Sequence, residues 1–319
     1  MEFIQKKEVV HQPVWDNWLL IIWGVLSLFH LVIPINEDLQ MMLFVASILL
    51  TGIPHGALDH LVEEKNREKR KMRFSMLMFL AQYFLRMAVF AIVWYFTPLI
   101  SLGIFLLLSA YHFGETDLAK LSFKARGQKL FQLSYGLMIL SFILLPHLEE
   151  VLPIINQLPH VRDSAALTFV IQFRLPALIA ITAITLVLAW YMYKKGQSKD
   201  QLQYLGFTIQ MVCIVWLVTT LPLMLAFTFY FGCWHSMHAL NNIRHHLSTR
   251  PDQPLSWPTM IRKSLPFSLA ALALIVAVIA WTVNTYETPV MMMGFFIGIA
   301  ILTAPHLEIM SKMQRHLEE

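Results

Sequence analysis

The sequence is poor in charged residues and in cysteine. The first shortage limits the class of protein, and the second limits the kinds of cross-link and metal site that it can contain. Only 14% of its 319 residues are charged, whereas 57% are hydrophobic. Because a soluble domain carries more charge on its surface, this composition indicates a polytopic membrane protein. The two cysteines, Cys213 and Cys233, both lie inside apolar runs. They offer neither a disulfide framework nor a cysteine-based metal site.

The apolar residues are gathered into ten runs, each long enough to cross a hydrocarbon core about 30 Å thick. These runs are 15–35, 40–58, 74–97, 98–117, 130–147, 174–193, 201–219, 221–243, 264–284 and 288–308. No small-residue cleavage pattern follows the first run, so we expect a retained helix there rather than a signal peptide. The sequence therefore predicts an all-α, polytopic integral membrane helix bundle of about ten transmembrane helices, forming a single membrane domain over 1–319.

The basic residues lie in every second predicted link, starting with the N-terminal segment. These links together hold 21 of the 24 lysines and arginines. Among the other three, Arg86 lies in the middle of a predicted helix, where a charge requires a partner or water. Because basic links stay in the cytoplasm, we expect both termini to be cytoplasmic. The predicted location is the inner (cytoplasmic) cell membrane.

Six of the thirteen histidines fall at the predicted cytoplasmic ends of four even-numbered helices. They are His55, His60, His112, His235, His238 and His306. Ionisable residues inside membrane segments are functional candidates by default. Several neutral imidazoles with few carboxylates suit iron, copper, zinc or nickel rather than magnesium or calcium. The sequence therefore predicts a histidine metal site on the cytoplasmic side of the bilayer.

Four carboxylates lie near these histidines in the sequence, and each is a candidate for orienting an imidazole through its second ring nitrogen. They are Asp59, Glu115, Asp117 and Glu308. His55 and Asp59 are four residues apart, so on a continuous helix they share a face. The alternative for all four is solvation at the membrane interface.

Four short motifs follow one another along the chain. They are Pro54-His55-Gly56-Ala57-Leu58-Asp59, His112-Phe113-Gly114 followed by Asp117, Trp234-His235-Ser236, and Pro305-His306. In this order and spacing they resemble the Brp/Blh family, the integral-membrane β-carotene 15,15′-dioxygenases of bacteria and archaea. The resemblance runs from the second predicted helix to the tenth. Residues 1–36 thus look like an extra N-terminal helix, and 40–310 like the carotenoid-oxygenase core.

The resemblance implies an activity and a cofactor. The activity is cleavage by O2 of the central 15,15′ double bond of β-carotene, or of a related carotenoid, to give two all-trans-retinal. The implied cofactor is Fe2+, bound by His55, His112 and His235. The lipid bilayer is the expected surrounding, no nucleic-acid partner is expected, and a functional link to a retinal-binding rhodopsin is a further expectation.

An apolar polyene substrate requires a dry, elongated pocket, which aromatic side chains near the histidines are suited to line. The predicted substrate-contacting residues are Tyr111, Phe113, Tyr230 and Trp234. Ring faces could stabilise positive charge developing on the polyene. The alternative for each of these side chains is ordinary core packing.

The eighth predicted helix departs from the family pattern. The family motif reads His-Ser-x-Arg-His, whereas Ser236 and Met237 are followed here by His238 and Ala239. Residues three or four apart lie on one helix face, so His238 is predicted to supply the fourth ligand beside His235. His306 and His60 are the alternates.

Two other functions fit the same residues. One is another histidine-ligated membrane metalloenzyme, of the desaturase or hydroxylase type. Such enzymes use several histidine boxes, and only His245-His246 hints at one here. The other is a proton- or metal-coupled transporter, in which Pro54 and Pro305 would mark broken helices. A transport path would place sites near the midplane or on both sides, whereas these histidines gather at one side.

Overall fold

Helices make up nearly all of the part of the chain that the computed structural model describes, which is 15–119, 121, 126–158, 164–195, 201–248, 253–282 and 288–318. No β-strand occurs in those ranges. The α-helices are α1 Trp15–Val32, α2 Glu37–Ser47, α3 Ile53–Ala57, α4 Asp59–Lys69, α5 Met76–Phe96, α6 Pro98–Asp117, α7 Gln128–Leu144, α8 Leu148–Ile155, α9 Ala165–Gln172, α10 Arg174–Lys195, α11 Gln201–Thr220, α12 Leu223–Phe227, α13 Ser236–His246, α14 Trp257–Thr282 and α15 Thr288–Glu318. Two π-helices, π1 Ile48–Gly52 and π2 Thr228–His235, join α2 to α3 and α12 to α13.

Seven helical segments within the described ranges are long and apolar enough to cross a membrane. They are Glu37–Lys69, Met76–Phe96, Pro98–Asp117, Arg174–Lys195, Gln203–Thr220, Trp257–Ala277 and Pro289–Arg315. An eighth is obtained if α7 and α8, which meet at an angle of 93°, count as one broken span. Each of the ten predicted runs is mainly helical where it is described, but α1 is shorter than a full span. The segment 223–246 is not among these seven spans, and it carries many polar residues near its end.

The two π-helices cross each other at close range. The Thr51 hydroxyl lies 2.5 Å from the Gly232 carbonyl oxygen and 2.7 Å from that of Ser47. A Cβ on Gly232 would lie 2.4 Å from the Ser47 hydroxyl oxygen, so only glycine fits there. π-Helical turns are rare and are frequent at functional sites. The crossing brings the segment before His55 against the segment that ends at His235.

Helices α6 and α7 approach each other even more closely, through reciprocal glycines. A Cβ on Gly114 would lie 1.9 Å from the carbonyl oxygen of Gln132, and one on Gly136 would lie 1.8 Å from that of Ala110. Small residues let membrane helices pack backbone to backbone. The Gly114 contact lies two residues after His112 and holds the end of α6 in place.

Two apolar clusters flank the histidine-bearing helices. The larger one includes Ile139 of α7 and Tyr230 of π2. The second joins α4, α13, α14 and α15 through residues such as Val62 and Met310. The helices that carry the candidate histidines pack against these two clusters, so their relative positions are fixed by packing on both sides.

Candidate metal centre

Four histidines from four separate segments come together in the interior of the bundle. His55 comes from α3, His112 from α6, His235 from the end of π2 and His306 from α15. Their ring centres are 5.0 Å apart for His55 and His306, and 5.3 Å apart for His306 and His112. The cycle closes through His235, at 4.8 Å from His112 and 6.0 Å from His55. All four side chains are buried. We refer to His55, His112, His235 and His306 as the histidine ring.

Local sequence explains how two of these side chains are oriented. His55 lies in α3, which follows π1 directly and has Pro54 in its first turn. His235 is the last residue of π2, and the Ser236 backbone N–H bonds to the Phe231 carbonyl in the five-residue spacing of a π-turn. The Ser236 hydroxyl donates to the same carbonyl at 2.7 Å. Serine therefore secures the π-turn that presents His235, a role that its position in the motif did not reveal.

A carboxylate orients one member of the ring directly. His306 Nδ1 lies 2.7 Å from Asp59 Oδ1, and the Tyr83 hydroxyl donates to Asp59 Oδ2 at 3.0 Å. The Asp59 carboxylate thus favours the tautomer with hydrogen on Nδ1, which leaves His306 Nε2 as a lone-pair donor. A carboxylate behind an imidazole is the common arrangement around histidine metal ligands. In the neighbouring member of the ring, His55 Nδ1 lies 3.3 Å from the Thr51 carbonyl oxygen.

Asp117 faces His235 in a similar way, but at longer range. Its Oδ1 stands 3.7 Å from His235 Nδ1, too far for a hydrogen bond. Its Oδ2 accepts from the hydroxyls of Tyr230 at 2.9 Å and Tyr135 at 3.3 Å. These two tyrosines hold the carboxylate within the bundle, so a small movement of His235 would complete the pair.

The donor chemistry of the histidine ring fits a first-row transition metal. His306 Nε2, His235 Nδ1 and both nitrogens of His112 are buried without a hydrogen-bond partner in the described structure, and such buried orphans require an explanation. Imidazole nitrogens bind metals at about 2.1 Å, which sets neighbouring ring centres roughly 4.6 to 5.3 Å apart. Three of the four observed spacings, 4.8, 5.0 and 5.3 Å, fall in that interval.

As the rings stand, no three His, Cys, Asp or Glu side chains of the described residues are arranged to hold a metal ion. Neighbouring rings of the cycle are instead nearly perpendicular, with interplanar angles from 69° to 85°. Their spacing is right but their nitrogens do not converge. The second side-chain torsion of histidine is broad, and rotation of the His112 ring would break no hydrogen bond, because neither of its nitrogens has a partner in the described structure.

His238 and His60, the other two predicted candidates, lie outside the histidine ring. His238 Nε2 is 3.1 Å from Asp16 Oδ1 of α1, and its ring packs against Trp234. His60 packs on Phe267, with ring centres 4.5 Å apart, and its Nδ1 lies 3.0 Å from the Ala57 carbonyl oxygen. The geometry thus places His306, rather than His238, beside His55, His112 and His235.

The reason is helical rotation. Three residues along an α-helix amount to about 300° of turn, so a side chain at that spacing points about 60° to one side, whereas at four residues it points about 40° to the other. With the π-turn ending at His235, the three-residue spacing carries His238 away from the ring and towards α1. His306 reaches the ring from α15.

The two remaining predicted carboxylates have other partners. Glu115 accepts from the Tyr111 hydroxyl at 3.2 Å and from Ser311 at 3.1 Å. Glu308 bonds to Arg86 at 2.9 Å and to Lys312 at 2.5 Å. Glu308 is therefore the partner that the mid-helix arginine required.

The predicted aromatic residues divide into two groups. Phe113 packs on His235 with ring centres 4.5 Å apart. Tyr230 is fully buried and contacts the Phe113 ring at 5.3 Å. Trp234 contacts His238, and the Tyr111 hydroxyl bonds to Glu115. Among these four, Phe113 contacts the histidine ring through its own aromatic ring. A further aromatic neighbour, Phe231, is not among the predicted four, and it stacks nearly parallel to His235 with centres 6.2 Å apart.

These features define a class of protein: a helical bundle with membrane-length apolar helices and a buried, carboxylate-supported cluster of histidines. The family described as beta-carotene 15,15′-dioxygenase matches residues 46–314, and the chain belongs to that family. It is a carotenoid-cleaving dioxygenase.

A similar curated protein is the beta-carotene 15,15′-dioxygenase of uncultured marine bacterium 66A03. It is 23% identical over 272 residues, which cover 82% of this chain and 90% of that protein. No solved structure matches the chain. The matched segment 46–314 contains all four members of the histidine ring and begins after α1.

Proposed function

We propose that the protein cleaves the central 15,15′ double bond of β-carotene with O2 at a single non-haem Fe2+, and that His55, His112, His235 and His306 hold the ion. The main observation behind this proposal is the closed cycle of four buried imidazoles from four segments. Three of these imidazoles have ring nitrogens without a hydrogen-bond partner in the described structure. His306 replaces His238 in this assignment because it contacts the ring while His238 bonds to Asp16.

When bound, Fe2+ on neutral imidazoles would supply an open position for O2. The reaction takes one oxygen atom to each carbon of the broken double bond, so two aldehydes form with no net uptake of protons. The carboxylates are therefore not needed as acids or bases. Asp59 holds the proton on His306 Nδ1, which keeps Nε2 available as a ligand.

A row of phenylalanines extends from the histidine ring and suits an apolar polyene. Phe231 stacks on His235, and Phe227 stacks on Phe231 with ring centres 5.2 Å apart at 23°. Phe227 in turn meets Phe296 edge-on at 5.7 Å. Flat rings in series match a flat conjugated chain, and their faces would favour positive charge that develops along it. We assign one arm of the substrate to this row.

The direct test is expression in cells that produce β-carotene. Loss of yellow colour with appearance of retinal is expected, since both cleavage products of the central bond are the same aldehyde. Products of two different lengths would contradict central cleavage. Unchanged pigment with a folded, iron-containing protein would contradict the activity on this substrate.

Iron content tests the ligand assignment separately. We expect His306→Ala to weaken iron binding by more than the roughly tenfold to 100-fold that loss of an outer hydrogen-bond partner costs. His60→Ala is the matched control, because His60 is buried nearby but packs on Phe267 outside the ring. Full iron content in His306→Ala, together with its loss in His238→Ala, would overturn the assignment in favour of His238.

A further inference from the structure

Helix α1 precedes the segment matched by the family, yet it contacts the rest of the bundle at three points, two of them on the helical segment that carries His235 and His238. Trp23 meets Phe229 of π2 with ring centres 5.5 Å apart. The Ser27 hydroxyl lies 2.8 Å from a threonine hydroxyl at the end of α11. At the start of α1, Asp16 Oδ1 lies 3.1 Å from His238 Nε2.

The Asp16–His238 contact is deeply buried on both sides. Each side chain is only 2% exposed, and the edge of Trp234 covers the His238 ring at 4.7 Å. Burial of such a pair contributes little net stability, but removal of one partner leaves an uncompensated polar group in the interior. A contact of this kind restricts geometry more than it adds free energy of folding.

The pair is connected to the histidine ring by two routes. His238 lies one helical turn after His235 on a continuous helical segment. Asp16 and His238 also line a small cavity, of about 20 Å3, together with Asp117 and Trp234. Asp117 is the carboxylate that faces His235 at 3.7 Å. A shift of His238 would therefore change both the helical turn that carries His235 and the wall that supports Asp117.

We propose that Asp16 and His238 form a latch through which helix α1 positions His235 within the histidine ring. Both are positioning residues, because they act through His235 and touch neither the metal nor the substrate. This inference rests on the proposed function, since the positioned group is one of its ligands. On this proposal, α1 helps to position the site although it contributes no ligand.

The test compares Asp16→Ala, His238→Ala and the double variant with Ser27→Ala, which removes another polar contact of α1 but leaves the latch intact. At saturating iron we expect equal iron content in all four. The latch variants should lose about tenfold in kcat, with KM changed by less than about twofold. A misplacement of 1 Å costs about 100-fold in rate, and the shift of His235 expected here is smaller than that. The electron paramagnetic resonance spectrum of the nitric oxide adduct of the Fe2+ protein should also change.

The double variant should be no worse than the more impaired single variant, because both substitutions remove the same contact between Asp16 and His238. The exchanged pair, Asp16→His with His238→Asp, should recover part of kcat and the original spectrum. Latch variants with unchanged spectrum and unchanged kcat would overturn the proposal. So would a Ser27→Ala variant that is impaired to the same extent.

Hydrogen–deuterium exchange of segment 228–246 separates this proposal from the proposed function. Faster exchange is expected in Asp16→Ala and its conservative counterpart Asp16→Asn, but not in Ser27→Ala. If the wild-type protein binds no iron, the proposed function fails, and the exchange result alone decides whether the latch restrains the segment. If the protein binds iron but exchange and spectrum are unchanged in the latch variants, only the latch is wrong.

Discussion

Replacement of Gly114 by alanine tests whether the crossing of α6 and α7 positions His112. The added methyl group would lie 1.9 Å from the Gln132 carbonyl oxygen, about 1.5 Å short of an ordinary 3.4 Å contact. Because the obstacle is backbone rather than a side chain, the helices must separate. Overpacking of this kind costs about 1–3 kcal/mol, or more where relief is difficult.

The catalytic cost should be larger than the loss of stability suggests. His112 lies two residues before Gly114, so a helix displacement of this size moves its imidazole relative to the other three rings. A misplacement of 1 Å costs about 100-fold in rate. We therefore expect kcat per folded protein to fall about 100-fold, and iron to be released faster to a chelator.

The assay measures retinal formation, iron content and thermal unfolding on purified protein in detergent. Gly103→Ala is the matched control, because Gly103 is on the same helix and a methyl group added there would have nothing within 4 Å. It should be neutral or slightly stabilising, as alanine favours helix over glycine. A Gly114→Ala protein that unfolds at a lower temperature yet keeps its activity would refute the positioning argument. Unchanged stability would refute the crossing itself.

Three further predictions concern the site and the membrane topology. Asp59→Asn should weaken iron binding about tenfold to 100-fold, because the carboxylate behind His306 is lost; equal affinity in a metal titration would contradict this. Phe227→Ala should raise KM for β-carotene more than it lowers kcat, as expected for an arm of the substrate remote from the reacting bond; a pure kcat effect would argue against that placement. Reporter fusions at Glu37 and Arg70 should lie on opposite sides of the membrane, since the helical segment between them is long enough to span it; reporters on one side would contradict the basic-link topology.

The helices were predictable because their signal is local. Each of the ten apolar runs is mainly helical where it is described, and length and hydrophobicity determine this without knowledge of the partners. The predicted run 130–147 ends close to the break after α7, where Pro146 and His147 lie, but the helix α8 that follows at 93° was not predicted. His147 Nε2 lies 2.8 Å from the Leu221 carbonyl oxygen, 74 residues on, and sequence spacing does not reveal such a contact.

The site was predictable only in part, for the same physical reason. The motifs contain His55, His112, His235 and His306, but whether His238 or His306 joins the other three depends on how far a π-turn rotates the helix. The partner of Arg86 likewise lies 222 residues away, at Glu308. Apolar periodicity does not show where a helical turn holds an extra residue. It also does not show which distant helix a given side chain will contact.

The π-helices π1 and π2 each hold more residues per turn than an α-helix, and they lead to two proposed ligands, His55 and His235. A π-turn holds one more residue than the α-turn it replaces, so removal of one residue from 48–52 or 228–235 would let that stretch relax into an α-helix. The helix would survive, and the later side chains would keep about their present orientation because the wide turn had absorbed the extra residue, whereas the same deletion in a regular α-helix rotates every later side chain by about 100°. Since the Thr51 hydroxyl lies within hydrogen-bonding distance of Gly232 across the crossing, such a change in one segment would disturb its neighbour as well. Single-residue deletions in these two segments should thus rotate His55 and His235 less than single-residue deletions in the α-helices beside them, while still loosening the contact between π1 and π2.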